Sequence, residues 1–189
     1  LGDVQPDSTG GFSNTFRWKG LSLRALIDVR RGGDIYSLSN ATAAQQGTAT
    51  FTLDGREAWY DGSGGYVADG VVNTGSEENP TYEENTQAVD PQSYWNEVAG
   101  IAEEFVYDGS YVKLREVVLS YRLPRAWTAR TPLDRASISL VGRNLAILHK
   151  NTPGFDPEAT YGAGFSSQGR EAFAFPQTRS YGVNLNLTF

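Results

Sequence analysis

The carboxylates are the first residues to weigh for chemistry. They fall in adjacent pairs, Glu77/Glu78, Glu83/Glu84 and Glu103/Glu104. Glycoside hydrolysis needs two carboxyl groups about 5 to 9 Å apart across the scissile bond. Neighbours in an extended chain point to opposite sides, so these pairs read as solvated loop charges. His149 is the sole histidine, so a multi-histidine metal site cannot form, and a Ser-His-Asp site would rest on it alone. It reads as a polar residue at a strand end. There is no cysteine, which excludes disulfides and thiolate metal sites. Asp61-Gly62-Ser63-Gly64-Gly65 is flexible enough for a cation loop but lacks the ligand series and closing Glu of an EF-hand. No phosphate-binding or dinucleotide-binding glycine motif occurs. The chain therefore reads as a non-enzyme without metal or cofactor.

Aromatic residues are the better ligand candidates. Trp59, Tyr60, Tyr66, Tyr94, Trp95, Phe155 and Tyr161, with Tyr82 and Phe165, fall in long segments between predicted strands. A flat apolar face with a polar edge suits a sugar ring or a protein surface. The competing role is to pack the loops against one another.

The elements that must position these residues are strands. Gly, Tyr, Phe, Asn and Thr are abundant, and long runs of helix formers are missing. In Tyr181–Phe189, Tyr181, Val183, Leu185, Leu187 and Phe189 share one face, and Gly182, Asn184, Asn186 and Thr188 the other. Leu21, Leu23, Ala25, Ile27 and Val29 repeat the pattern, with Leu26 an exception on the polar side. Phe12, Phe16 and Trp18 precede them across Lys19-Gly20, a hairpin turn with Gly supplying positive φ. Over 110–123, Leu114, Val117, Val118 and Tyr121 have helical spacing, but Val117, Leu119, Tyr121 and Leu123 alternate and favour a strand. A fourth strand starts at Ala136, Ile138 and Leu140, and its alternation blurs after Gly142, a candidate bulge. The expected fold is all-β, with about five antiparallel strands near 10–18, 21–36, 110–123, 136–148 and 179–189.

Long connections separate them, near 37–109 and 149–178. A short hairpin is expected near Gly65–Val72, and Asp90-Pro91 should cap a helix reaching about Gly100. Long and short connections alternate as they do in outer-membrane barrels, which places the long ones outside the cell. Five strands cannot close such a barrel, and the chain starts at Leu1 without any Met, so it is expected to be part of a longer product. The longest aliphatic runs, such as Leu145–Leu148, fall far short of the roughly 20 residues of a spanning helix. A net charge of −6, from 22 acidic and 16 basic residues, argues against a nucleic-acid partner.

Several motifs, in order along the chain, resemble one family. They are Pro6-Asp7-Ser8-Thr9-Gly10-Gly11-Phe12 with Lys19-Gly20-Leu21, then Arg31-Gly32-Gly33-Asp34-Ile35-Tyr36. Ser110-Tyr111-Val112-Lys113-Leu114-Arg115-Glu116-Val117 with Leu119-Ser120-Tyr121-Arg122-Leu123-Pro124 is the most specific. Gly142-Arg143-Asn144-Leu145, Gly154-Phe155-Asp156-Pro157-Glu158 and the terminal Gly182–Phe189 complete the series. Together they resemble the C-terminal portion of SusC/RagA-family TonB-dependent outer-membrane transporters. The resemblance implies a large transmembrane β-barrel of roughly 22 strands with a plug domain outside this chain. It also implies a Gram-negative, Bacteroidetes-like outer membrane, a SusD-like surface lipoprotein partner and the TonB complex reached through missing N-terminal regions. The implied cargo is a glycan, oligosaccharide or related oligomer such as a peptide. Val183, Leu185, Leu187 and the final Phe189 resemble the assembly signal of such proteins. Two alternatives share the alternating strands: a soluble β-sandwich carbohydrate-binding module and a TonB-dependent siderophore receptor.

Overall fold

Lys19 and Gly20 take φ of 45° and 86°, the two left-handed residues that a two-residue hairpin turn needs. They join β1 (Ser8–Trp18) to β2 (Leu21–Arg31), paired from Trp18 opposite Leu21 to Ser8 opposite Arg31. The remaining elements follow in chain order as β3 (Asp34–Ser37), α1 (Leu38–Gln45), α2 (Arg56–Asp61), β4 (Tyr66–Val67), β5 (Val71–Asn73), β6 (Tyr82–Glu84) and β7 (Ala88–Val89). Next come α3 (Pro91–Val98), β8 (Val106–Asp108), β9 (Tyr111–Arg122), α4 (Arg125–Thr128), β10 (Arg135–Lys150), β11 (Arg170–Glu171) and β12 (Ser180–Thr188). The computed structural model describes residues 2–129, 131–159 and 167–189. The chain divides into two units, Leu1–Tyr36 with Tyr107–Phe189, and Ser37–Val106.

The first unit is built on one antiparallel sheet of five strands in the order β1-β2-β9-β10-β12. Neighbours in the sheet follow chain order, and β1 and β12 are its edges. Its registers align whole rows of side chains. Trp18, Leu21, Tyr121, Ile138 and Leu185 form one row, and Phe16, Leu23, Leu119, Leu140 and Val183 the next. Opposite residues of an antiparallel pair share a face, so these rows make one apolar surface. It is bare: Phe16, Val183 and Leu185 are 65%, 69% and 59% exposed. Asn14, opposite Ala25, is a polar exception in it. The other face carries Arg17, Ser22, Ser120, Ser139 and Asn184 in one row and Ser13, Leu26, Glu116, Arg143 and Ser180 in another. Ser120 and Ser139 share a hydrogen bond of 2.8 Å, and Arg143 Nε donates to Glu116 at 3.0 Å.

The segment 110–123 is a strand, and its helical spacing has a local cause. On β2, Leu26 faces Glu116 and the next residue, Ile27, faces Leu114. Arg115 is thus an extra residue, a bulge in β9. It lets Arg115 and Glu116 both follow Tyr111 and Lys113 onto the polar face, while Leu114 and Val117 share the apolar one three positions apart. On the other side, Arg143 and Ala146 of β10 face Glu116 and Leu114, so β10 bulges at the same level. Asn144, inside that bulge, has φ of 52°.

Two expectations need correction. The second strand does not run to residue 36. It ends at Arg31, because Gly32 and Gly33 take φ of 74° and 86°, and β3 enters a separate sheet of order β11-β3-β8. Nor is Gly65–Val72 a hairpin. β4 pairs with β7 and β5 with β6, so the two ribbons nest around the turn between β5 and β6. The fold is mostly antiparallel strand, as expected, and the 37–106 unit adds a few short helices to it. Ser37 caps α1 by accepting from the Asn40 N–H at 3.1 Å. Ala41, Ala44 and Phe105 are buried there. Asp90 caps α3, with Pro91 at its first turn.

The bulge sets a direct test. Deleting Arg115 closes the bulge: Leu114 stays opposite Ile27 and Glu116 opposite Leu26, now as neighbours in plain alternation. In the intact protein this deletion is expected to retain folded material, at a yield lowered by loss of the pairs with Asp28 and Glu158, whereas deleting Leu119, outside the bulge, inverts one side of the strand and abolishes it. Equal yields for the two variants would sink the bulge assignment.

Candidate functional site

Beyond the bulge, the polar face of the sheet becomes ionic. Asp28 on β2 stands opposite Lys113 on β9. Into this face comes the segment Phe155–Glu158. Lys113 Nζ lies 2.5 Å from Asp156 Oδ1 and 2.6 Å from Glu158 Oε2, and the Lys113 and Asp156 side chains are each 4% exposed. Arg115 grips Glu158 with both terminal nitrogens, at 2.8 and 2.9 Å, and also pairs with Asp28. Its Nη1 donates to Asn144 Oδ1 at 3.1 Å as well. The Tyr111 hydroxyl donates to Glu158 Oε1 at 3.1 Å. Asp156 in turn accepts from the Glu158 N–H at 3.0 Å and the Gln177 N–H at 3.3 Å. Lys150 Nζ and the Thr152 hydroxyl hold the Phe155 carbonyl at 2.6 and 3.0 Å.

Such a cluster survives burial only because each charge has opposite partners and hydrogen bonds. Burial alone would push the Glu158 carboxyl up. The hydrogen bonds and charges of Arg115 and Lys113 outweigh that and hold it down to about 2. A carboxylate held below its ordinary value of 4.5 contributes stability that is full above pH 4.5. That contribution is lost as pH falls through about 2. The chemistry is fastening, not catalysis: the cluster ties the segment after β10 to the sheet.

The second candidate lies within the 37–106 unit. A cleft of about 310 Å³ opens among the C-terminal end of α1, α2 and the start of α3. Trp59, Tyr60 and Trp95 line it with Gln46, Arg56 and Gln92. Trp59 and Tyr60 are 44% and 83% exposed. The Trp59 indole sits against Gly65, where a Cβ would come within 3.0 Å of Trp59 Cε3 and 2.6 Å of the Val89 carbonyl oxygen. A side chain at 65 would therefore displace that ring. Arg56 Nη2 donates to the Gly47 carbonyl at 2.5 Å and to the buried Thr52 hydroxyl at 2.7 Å.

The sequence-derived aromatic candidates separate here. Trp59, Tyr60 and Trp95 meet at the cleft. Tyr66 and Tyr94 pack on each other at 4.6 Å between centroids, and both pack on Trp95. Phe51, missing from the expected set, joins that stack at 5.0 Å from Trp95. Phe155 does not serve as an open ligand contact: it is 9% exposed and packs on Tyr107 at 5.9 Å. Tyr161 lies outside the described residues. Val183, Leu185, Leu187 and Phe189 are exposed, the first three on the apolar face of β12. Sequence reasoning missed the ion cluster, although Lys113, Arg115, Asn144, Asp156 and Glu158 all sit in motifs it had singled out. No three or more His, Cys, Asp or Glu among the described residues group as metal ligands.

Lys113→Met tests the fastening. It leaves Asp156 buried without its cation, at a cost of about 3 kcal/mol. The expected readout in the intact protein is faster proteolysis of the 152–158 segment. Adding Asp156→Leu removes the orphaned charge and should recover much of the protection. A double variant no better protected than Lys113→Met would refute the pairing.

No family model matches the chain. Two curated relatives from Formosa agariphila match along all of it: TonB-dependent receptor P3, 28% identical over 194 residues, and TonB-dependent receptor P26, 26% identical over 196. The chain spans 17% and 18% of their lengths. Among solved structures, the RagAB peptide importer shares the fold. Its closed-closed state superposes with a TM-score of 0.64 at 22% identity, and its open-open state with 0.59 at 23%. Each covers 98% of this chain, which spans 18% and 17% of theirs. These relatives are receptors and importers, not enzymes. The chain is thus similar along its whole length to TonB-dependent receptors, and it shares the fold of the corresponding part of the RagAB importer.

Proposed function

We propose that this chain is part of an outer-membrane, TonB-dependent importer of oligomeric nutrients. Its five-stranded sheet forms barrel wall, with the apolar face against lipid and the polar face toward the lumen. The single observation that carries this reading is the split between the two faces. Rows of Trp, Phe, Leu, Ile and Val stand exposed across all five strands, where water would be an unfavourable neighbour and hydrocarbon a favourable one. β12, nine residues from Ser180 to Thr188, is of the length, about 9–11 residues, that a tilted barrel strand needs to cross a bilayer. A β-sandwich module would bury this face under a second sheet instead.

The cargo is a glycan, oligosaccharide or related oligomer; the RagAB relatives are described as a peptide importer. The partner is a SusD-like surface lipoprotein, and TonB is engaged through regions beyond this chain. Segments 37–104 and 149–178 face the exterior, where long loops on a rigid scaffold concentrate binding residues.

The faces give the test. In the full-length receptor, Leu185→Arg sets a charge against hydrocarbon, at a cost of up to about 2–4 kcal/mol near the midplane. Asn184→Arg sets the same charge in a hydrated lumen and should cost far less. Outer-membrane yield and heat-modifiable mobility report both. Equal damage from the two, or a silent Leu185→Arg, would remove the support for a lipid-facing side. Orientation is tested separately by a peptide tag at Ser76, expected to bind antibody on intact cells. A tag reached only after the outer membrane is broken reverses the orientation.

A further inference from the structure

We propose that the cleft beside Trp59 binds a neutral sugar ring of an oligosaccharide. The proposal rests on the import reading above and narrows it to one substrate class at one site. The cleft's volume of about 310 Å³ lies at the small end of ligand pockets, about 300–1,000 Å³, so it grips a short part of an oligomer. Trp59 and Tyr60 stand open on α2, and Trp95 on α3 adds a third ring. Indole and phenol rings present flat apolar faces with polar edges. A pyranose presents the complement, an apolar C–H face rimmed by hydroxyls.

The charges point the same way. Arg56 is committed to Gly47 and Thr52. Asp90 caps α3, accepting from the Gln92 N–H at 3.1 Å and the Ser93 hydroxyl at 2.8 Å. The lining holds one cation and one anion, Arg56 and Asp90, so neither sign is in excess to select an ionic ligand. Gln45, Gln46 and Gln92 line the cleft with amides, each both donor and acceptor, which suits hydroxyls that also do both. The walls come from helices and their ends. They offer no strand edge for a peptide main chain, which is commonly held by strand addition. The Trp95 indole N–H is buried without an acceptor.

The test uses purified full-length receptor and titration calorimetry with maltohexaose, cellohexaose, laminarihexaose, mannohexaose and xylohexaose. An uncharged, end-capped hexapeptide is the control. At least one hexaose is expected to bind saturably and the peptide not to bind. Trp59→Ala should weaken sugar binding tenfold or more. Gln92→Ala, on an exposed helical position, should weaken it severalfold. Binding of none of the five sugars overturns the proposal, as does unchanged affinity in both Trp59→Ala and Gln92→Ala. Peptide binding that Trp59→Ala abolishes overturns the sugar assignment while leaving import intact. Failure of import itself would show separately, in the Leu185→Arg and Asn184→Arg comparison, which does not touch the cleft.

Discussion

The constraint on which the sheet depends is the two-residue alternation of side chains along each strand, carried in phase across five strands. A slip of one residue in any register would send arginines and serines to the apolar side. Phase is held first by the Lys19-Gly20 turn, whose two left-handed residues fix β1 against β2. It is then reset at one level by the bulge at Arg115 and the matching irregularity in β10. Above and below that level both faces keep their character. The bulge changes only which residues supply them.

That resetting is also what builds the ion cluster. Without the extra residue, Arg115 and Lys113 could not share a face with Glu116 and Ser120. With it, two cations stand side by side on β9 and meet Asp28, Asp156 and Glu158. Lys113 and Asp156 are nearly dry, so their attraction is weakly screened, and either would be costly alone. The result is a fixed seat for the segment after β10. The Phe155 carbonyl, held by Lys150 and Thr152, and the Phe155 ring, packed on Tyr107, complete it.

How much of this was legible in the sequence differs by interaction range. Strand faces were legible because alternation is local: Tyr181 to Phe189 declares its two sides unaided. The α3 cap was legible because Asp90-Pro91 is a local signal. Three helices escaped for physical reasons, α4 because it is a single turn of four residues. α2 is six residues long, between the left-handed Gly55 and Gly62; α1 is eight residues, mostly small or polar, with no charge to complement its dipole. The bulge was hidden because one extra residue mimics helical spacing at Leu114 and Val117. The cluster was hidden because its partners lie 29 to 87 residues apart, and no local pattern announces a pair at that separation. Trp59 and Tyr66, only seven residues apart, were not sorted into cleft and packing because Tyr66 meets its partners Tyr94 and Trp95 nearly thirty residues on.

The polar face itself is graded, and the gradient follows the connections. Near the Lys19-Gly20 turn its rows are short and mostly neutral: Ser22, Ser120, Ser137, Ser139, Asn184 and Asn186, with Arg17 and Arg122 beside them. At the other end, where β2 and β10 give way to long segments, the rows carry Asp28, Lys113 and Arg115. A neutral hydroxyl row tolerates water or a passing polar surface at small energetic consequence. An ionic row does not, since every member needs a fixed partner once buried. The sequence places its buried ionic residues where a returning loop supplies those partners, and its serines where none of the described segments returns. Charge on this face thus marks the end at which backbone must be held still, and Phe155–Glu158 is the segment it holds.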